Sequence, residues 1–163
     1  MTDLTTFLKQ ADIFDQLTPT QLELVASICQ QVSYTEGEVV LEEGASSKEL
    51  YVIAEGEVEV LINPGLVGGP DAPQGMAVIA TLRRGQSFGE IALVDEGLRS
   101  ATVRATFKGT TLLAIPRDKL MMLCDTYPQL GYRLMYNLAA DLAMKIRNAD
   151  LRIRETLLYG RKE

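Results

Sequence analysis

The feature that most constrains this chain is a change of hydrophobic period after about residue 38. Residues 39–41, 50–54, 58–62 and 76–80 are short runs rich in β-branched side chains, and residues 100–105 and 110–115 add two more. Glycines punctuate them at Gly37, Gly44, Gly56, Gly85 and Gly89. Val58, Val60 and Ile62 alternate with Glu59 and Leu61, the period of a half-buried strand. Glu55-Gly56-Glu57 reads as a hairpin turn between two of the runs. Many short strands at close spacing predict a mainly β domain, a sandwich or jelly roll.

Helical patterns flank this region. Residues 3–11 and 19–31 are expected to be helices, the second ending near Val32. Thr18 stands before Pro19, with Gln21 three residues on, which is a capping-box start. Leu22, Val25, Ala26 and Ile28 then follow at helical spacing. From Pro116 the chain turns helical again: a short helix over 117–124, a break at Tyr127-Pro128, then one long helix over 129–157 of about 40 Å. Residues 63–75, rich in glycine and proline, read as a loop joining two strands. They lack the spacing of a dinucleotide fingerprint.

Composition narrows the functions. The 163 residues are 47% apolar and 23% charged, enough for one compact core with perhaps an appended element. Twenty-two acids against 16 bases give a net charge of −6, which argues against a nucleic-acid-binding module. No histidine is present. That excludes Ser-His-Asp and Cys-His catalysis and the usual imidazole-held metals, so neither an enzyme nor a metal centre is expected. Cys29 and Cys124 fit no disulfide or zinc spacing and read as small core residues in helical surroundings. The start lacks a secretory signal and no apolar run is long enough to span a bilayer. A soluble, reducing, cytoplasmic setting is expected.

Residues 87–103, Ser-Phe-Gly-Glu-Ile-Ala-Leu-Val-Asp-Glu-Gly-Leu-Arg-Ser-Ala-Thr-Val, carry the chemistry. Gly89 lets backbone approach a ligand closely. Glu90 to Leu93 suit a single helical turn whose first amides favour an anion. Arg99 adds a permanent charge with forked donors that match phosphate oxygens. Glu90 is unsuited to a phosphate but suited to accepting from a sugar hydroxyl. A surface loop with an ordinary Gly, Glu and Arg is the bland alternative.

Phe-Gly-Glu-Ile-Ala-Leu, five residues, then Arg-Ser-Ala-Thr-Val closely resembles the phosphate-binding cassette of cyclic-nucleotide-binding domains, of the catabolite-activator and protein kinase A regulatory-subunit type. Residues 34–40 and 49–58 look familiar from the same domains. The resemblance implies a β-jelly-roll (double-stranded β-helix) barrel with N-terminal helices and a long C-terminal helix. It implies cAMP or cGMP as ligand, with no catalytic cofactor. Arg99 would pair with the equatorial phosphate oxygen and Glu90 would accept from the ribose 2′-hydroxyl. Gly89, Ile91 and Ala92 would offer backbone, Ser100 a hydroxyl, and Leu82 and Val103 apolar walls. Leu98 stands where many eukaryotic members have proline, as bacterial activators also lack it. A hydroxyl residue at Ser100 leaves the base open.

Within the long helix Met135, Ala139, Leu142, Ile146, Ala149, Ile153 and Thr156 step by four and three, a seam of period 3.5 that would suit a parallel homodimer. Such a pair would bring Lys145 near Asp150 of the second copy. Leu134 and Leu138, on an adjoining face, are expected to pack on the barrel. The resemblance places this helix over the purine, with Asp141, Lys145 and Asn148 as base contacts. Residues 1–126 are read as the nucleotide-binding domain and 127–163 as a lid or dimerisation helix. The likeness to bacterial activators runs to about residue 160, where their winged helix-turn-helix would follow. Output is therefore expected through an effector protein or self-association rather than DNA. The rival is a degenerate domain that keeps the fold as an interaction module without nucleotide.

Overall fold

The computed structural model describes residues 3–64, 75–95, 97–107 and 109–160. The loop read over 63–75 lies mostly outside these. Among the described residues eight strands form two four-stranded antiparallel sheets. The strands are β1 (Gln30–Tyr34), β2 (Val39–Leu41), β3 (Glu49–Glu55), β4 (Glu57–Ile62), β5 (Ala77–Arg83), β6 (Ser87–Phe88), β7 (Thr102–Ala105) and β8 (Thr110–Pro116). One sheet runs β1-β8-β3-β6 and the other β2-β7-β4-β5. The helices are α1 (Leu4–Lys9), α2 (Pro19–Ala26), α3 (Glu90–Asp95), α4 (Arg117–Thr126) and α5 (Pro128–Tyr159), with a 3₁₀ turn at Asp12–Phe14. The expected jelly roll with flanking helices and a long final helix is present.

The centre of the first sheet explains its unbroken apolar runs. Alternate side chains of β3 point to opposite faces. Tyr51 and Ile53 enter the space between the sheets with Leu41, Val58, Leu82, Phe88, Val103 and Leu112. Leu50, Val52 and Ala54 face the helices, joining Leu113 and Ile115 of β8 against Leu8, Phe14, Val25, Leu120, Leu130, Leu134 and Leu138. A strand covered on both faces has no polar side to show. Each fully buried leucine here contributes about 1.5–3 kcal/mol over an exposed one.

Two expectations need correction. The second helix stops at Ala26, and Gln30–Tyr34 is a strand paired antiparallel with β8. Ile28 and Val32 fit a helical spacing, but pairing along β8 satisfies the backbone of this segment and overrides it. Cys29 therefore lies in the turn after α2, not in a helix, though both thiols are free and pack on the core. In β4 the register shifts between Val60 and Leu61, so Leu61 is buried where simple alternation would turn it outward. Two local readings hold. Thr18 and Gln21 form the capping box, and Gly56, at φ +89°, makes the turn between β3 and β4.

The barrel-proximal part of α5 is anchored. Leu130, Leu134 and Leu138 are buried, as expected for Leu134 and Leu138. Gly131 packs where a Cβ would lie 2.9 Å from the Cys124 carbonyl, so the two last helices cross closely. Asn137 donates to the carbonyls of Ile13 and Asp15 at 3.0 and 2.8 Å. Beyond Lys145 every described residue of α5 is exposed.

Candidate functional site

The site begins where β6 meets α3. Phe88 pairs with Tyr51 on β3, and their rings stack with centroids 5.0 Å apart. This fixes the exit of β6. Gly89 follows at φ +84°, and a Cβ there would stand 2.8 Å from the Glu49 carbonyl and 2.9 Å from Arg99 Nη1. Glycine is thus required twice over, by backbone conformation and by space.

Arg99 is 5% exposed. Its Nε donates to Ser47 Oγ at 3.0 Å, Nη1 to the Gly89 carbonyl at 3.2 Å and Nη2 to the Glu49 carbonyl at 2.7 Å. The Glu49 carboxylate stands 3.9 Å from Nη2. Its backbone is pinned as well: the Arg99 amide donates to Ala45 O, and the Gly44 amide donates to Arg99 O, both at 2.8 Å. Among the described residues, three of the five guanidinium N–H groups thus have hydrogen-bond acceptors. Burial pulls the Arg99 pKa down, with Tyr51, Glu49 and Glu90 opposing. Burial likewise raises the Tyr51 hydroxyl to about 12.

Glu90, the first residue of α3, is also 5% exposed. Its Oε1 accepts from Lys145 Nζ of α5 at 2.7 Å. The same ammonium donates to the Ser87 carbonyl at 2.8 Å and stands 2.8 Å from Asp141 Oδ2. Three oxygens thus surround the three N–H groups of Lys145. Burial lowers the Lys145 pKa, but Glu90 and Asp141 together outweigh it, and the net shift is upward. Asp12 borders the cluster, its pKa raised by burial and then by Asp141 and Asp15, with Lys145 opposing. Among the described residues, Glu90 Oε2, Ser87 Oγ and Asp141 Oδ2 are buried without a hydrogen-bond partner, Asp141 Oδ2 having only its ion pair with Lys145. A buried acceptor left unpaired costs about 1–3 kcal/mol.

The candidate residues are distributed as follows. Gly89, Glu90 and Arg99 converge. Leu82 and Val103 are buried inside the barrel with Phe88. Ile91 and Ser100 are exposed, and the side chain of Ala92 lies outside the described set. Asp141 and Lys145 stand against Glu90, on the side expected for the sugar, while Asn148 is exposed farther along α5. Within the chain, Glu90 and Asp141 hold the Lys145 ammonium. Sequence reasoning missed Ser47, the Ala45 and Glu49 carbonyls and Ser87, because backbone acceptors leave no trace in residue type. Clefts of about 430 Å³ exist elsewhere. One lies between Thr18, Gln21, Pro128 and Tyr132, and one on the second sheet by Val39, Leu61, Thr102 and Arg104; neither includes Gly89, Glu90 or Arg99.

The site is thus a jelly roll whose short helix follows a left-handed glycine, with a buried arginine and a buried carboxylate beside it. Comparison with known proteins gives the family. The cyclic nucleotide-binding domain model matches residues 31–127. The cyclic AMP receptor protein of Thermus thermophilus is 33% identical over 146 residues, covering 90% of this chain and 62% of that protein. The crystal structure of the Thermus thermophilus catabolite activator protein superposes with a TM-score of 0.72 at 31% identity, over 88% of this chain and 62% of the other. The cAMP-dependent protein kinase regulatory subunit of Schizosaccharomyces pombe is 35% identical over 60% of this chain and 21% of its own length. The chain belongs to the cyclic nucleotide-binding domain family. It spans about three-fifths of the Thermus receptor's length.

Proposed function

We propose that this chain is a cyclic-nucleotide sensor that binds cAMP or cGMP between Arg99 and Glu90 and signals through α5. The observation that carries the reading is the convergence of these two buried side chains on Gly89. One is a fixed forked cation and the other a carboxylate with an unpaired oxygen. Arg99 and the first amides of α3 would hold the phosphate, and Glu90 the ribose 2′-hydroxyl. Leu82 and Val103 would back the sugar, and Ser100 would add a hydroxyl contact. Relatives of both kinds support leaving the base open: the Thermus protein is a cyclic AMP receptor, and human cGMP-dependent protein kinase 2 is 27% identical over 124 residues. The family is a binding domain, and we assign no catalysis.

Residues 1–126 would serve as the sensor and 127–163 as the lid and output. A second copy is the partner we assign to α5. Ile146 and Ile153, 62% and 58% exposed, lie one heptad apart on the seam that starts at Met135 and passes Ala139, Leu142 and Ala149. An effector protein would read that assembly. No described helix is long and apolar enough to cross a membrane, and we place the protein in the cytoplasm. Sedimentation of the wild type is expected to give a dimer, and Ile146→Lys with Ile153→Lys a monomer. A monomeric wild type would remove the dimer.

Calorimetric titration of nucleotide-stripped protein with cAMP and cGMP tests the sensor. Binding in the micromolar range or tighter, lost in Glu90→Ala and Arg99→Ala, is expected. Absence of heat with both nucleotides would favour the second reading, an interaction module without nucleotide. The observation on its side is that the chain's own Lys145 already engages Glu90.

A further inference from the structure

The outward side of α5 near its start lies apart from the cassette. Gln129, Tyr132, Arg133 and Tyr136 stand at i, i+3, i+4 and i+7, so they share one face of the helix. Leu130, Leu134 and Leu138, on the other side, are buried and hold that face in place. Tyr132 and Tyr136 are 67% and 58% exposed, with ring centroids 6.4 Å apart. The Arg133 guanidinium lies over both rings, 6.0 and 5.5 Å from their centroids. A guanidinium stacked on rings keeps its in-plane N–H groups directed away from them. Among the described residues, Arg133 has neither an ion pair nor a hydrogen bond.

This face borders the cleft of about 430 Å³ between the starts of α2 and α5. Its lining is rich in donors. In the α2 capping box Thr18 Oγ1 accepts from the Gln21 amide at 3.2 Å, and Gln21 Oε1 accepts from the Thr18 amide at 2.9 Å. The box thus engages the side-chain oxygens. It leaves the Thr18 hydroxyl hydrogen and the Gln21 amino group without an acceptor among the described residues. Gln129 and Arg133 add further donors, and no residue of the lining is acidic. In a chain of net charge −6, such a cleft favours a carboxylate. The exposed tyrosines add flat apolar surface, and Tyr and Arg are the residue types that most often dominate binding energy at protein interfaces.

We propose that this cleft docks an extended segment of a partner protein, which sets a carboxylate side chain against Arg133, Gln21 and Thr18 and an apolar side chain, two residues along, on the Tyr136 ring. Alternate side chains of an extended chain are about 6.6 Å apart, close to the 6.4 Å between the two ring centroids. A cleft of about 430 Å³ has room for a side chain and its backbone rather than for a folded element. The α5 residues that line it all precede Met135, where the dimer seam begins. The docking site does not depend on a nucleotide reaching Glu90.

The test uses the full chain, without added nucleotide, and a phage library of random short peptides. Peptides recovered on the wild type are synthesised with blocked ends and titrated by fluorescence anisotropy. An excess of Asp or Glu two residues from an apolar side chain is expected. Binding should weaken at least about tenfold in Arg133→Gln, and likewise in Tyr132→Ser with Tyr136→Ser. Changing the peptide's acid to its amide should weaken wild-type binding as much, and Arg133→Gln binding no further. The replaced side chains are exposed or half-buried, so the variants should keep the fold, which circular dichroism checks. A library that yields no binder, peptides without an acidic excess, or peptides bound equally by Arg133→Gln would overturn the docking site. So would peptides lost instead in Ile146→Lys with Ile153→Lys, which would move the contact to the distal seam. If Tyr132→Ser with Tyr136→Ser turned a dimeric wild type into a monomer, the face would belong to a second copy and the proposal would fall.

Discussion

The cassette has a rigid arm and a tethered arm. Arg99 is bound by groups within the barrel itself: the Gly89 and Glu49 carbonyls, Ser47, and a backbone ladder to Gly44 and Ala45. Glu90 is bound by one lysine on α5, beyond which every described residue of the helix is exposed. A ligand that must be captured and then reported needs both. The preorganised arm supplies affinity without ordering costs. The other arm is held instead by an ion pair that reaches 55 residues along the chain to α5.

Perturbing each arm in turn tests this contrast. Arg99→Ala should have the largest effect, since it removes the donor from two part-buried carbonyls and empties a buried side-chain site. Chemical denaturation should show a loss of about 2–4 kcal/mol, together with loss of nucleotide binding. Arg99→Lys keeps the charge but not the fork and should fall between. Gly89→Ala should follow, at about 1–3 kcal/mol, because a Cβ at φ +84° meets Glu49 O and Arg99 Nη1. Thermal melts should show it disturbing the rigid arm while amide hydrogen exchange in α5 stays near wild type. Equal loosening of α5 would break the separation of the arms.

The tethered arm should respond more gently. Lys145 sits above its ordinary 10.5 in the folded chain. Its contribution is therefore complete below the unfolded value and is lost as pH rises through the folded one. The stability difference between wild type and Lys145→Met should stay flat through the neutral range and narrow above 10.5. It should amount to about 1 kcal/mol or less, because the side chain keeps some exposure. Leu151→Ala, on the exposed distal half, should change unfolding by no more than about 0.5 kcal/mol.

Much of this was readable in the chain. The cassette is one contiguous segment, so Gly89, Glu90 and Arg99 announce themselves by type and spacing. The capping box of α2, the break before α5 and the burial of Leu134 and Leu138 are equally local patterns. The β1 strand was not readable, because its apolar residues fit a helix and only pairing with β8 decides otherwise. The β4 register shift was hidden for the same reason: alternation is broken by the partner strand, not by the residues of β4.

The sequence by itself determined the class of fold and the two ionic residues of the cassette, because period and motif are properties of neighbours along the chain. Tertiary structure alone decided what those residues touch. Arg99 meets Ser47 and Glu49 across separations of 52 and 50 residues, and Lys145 meets Glu90 across 55. Such contacts follow from how the sheets stack and where α5 crosses them. No local pattern encodes that Lys145, rather than Asn148 one turn on, is the residue the helix turns toward the cassette.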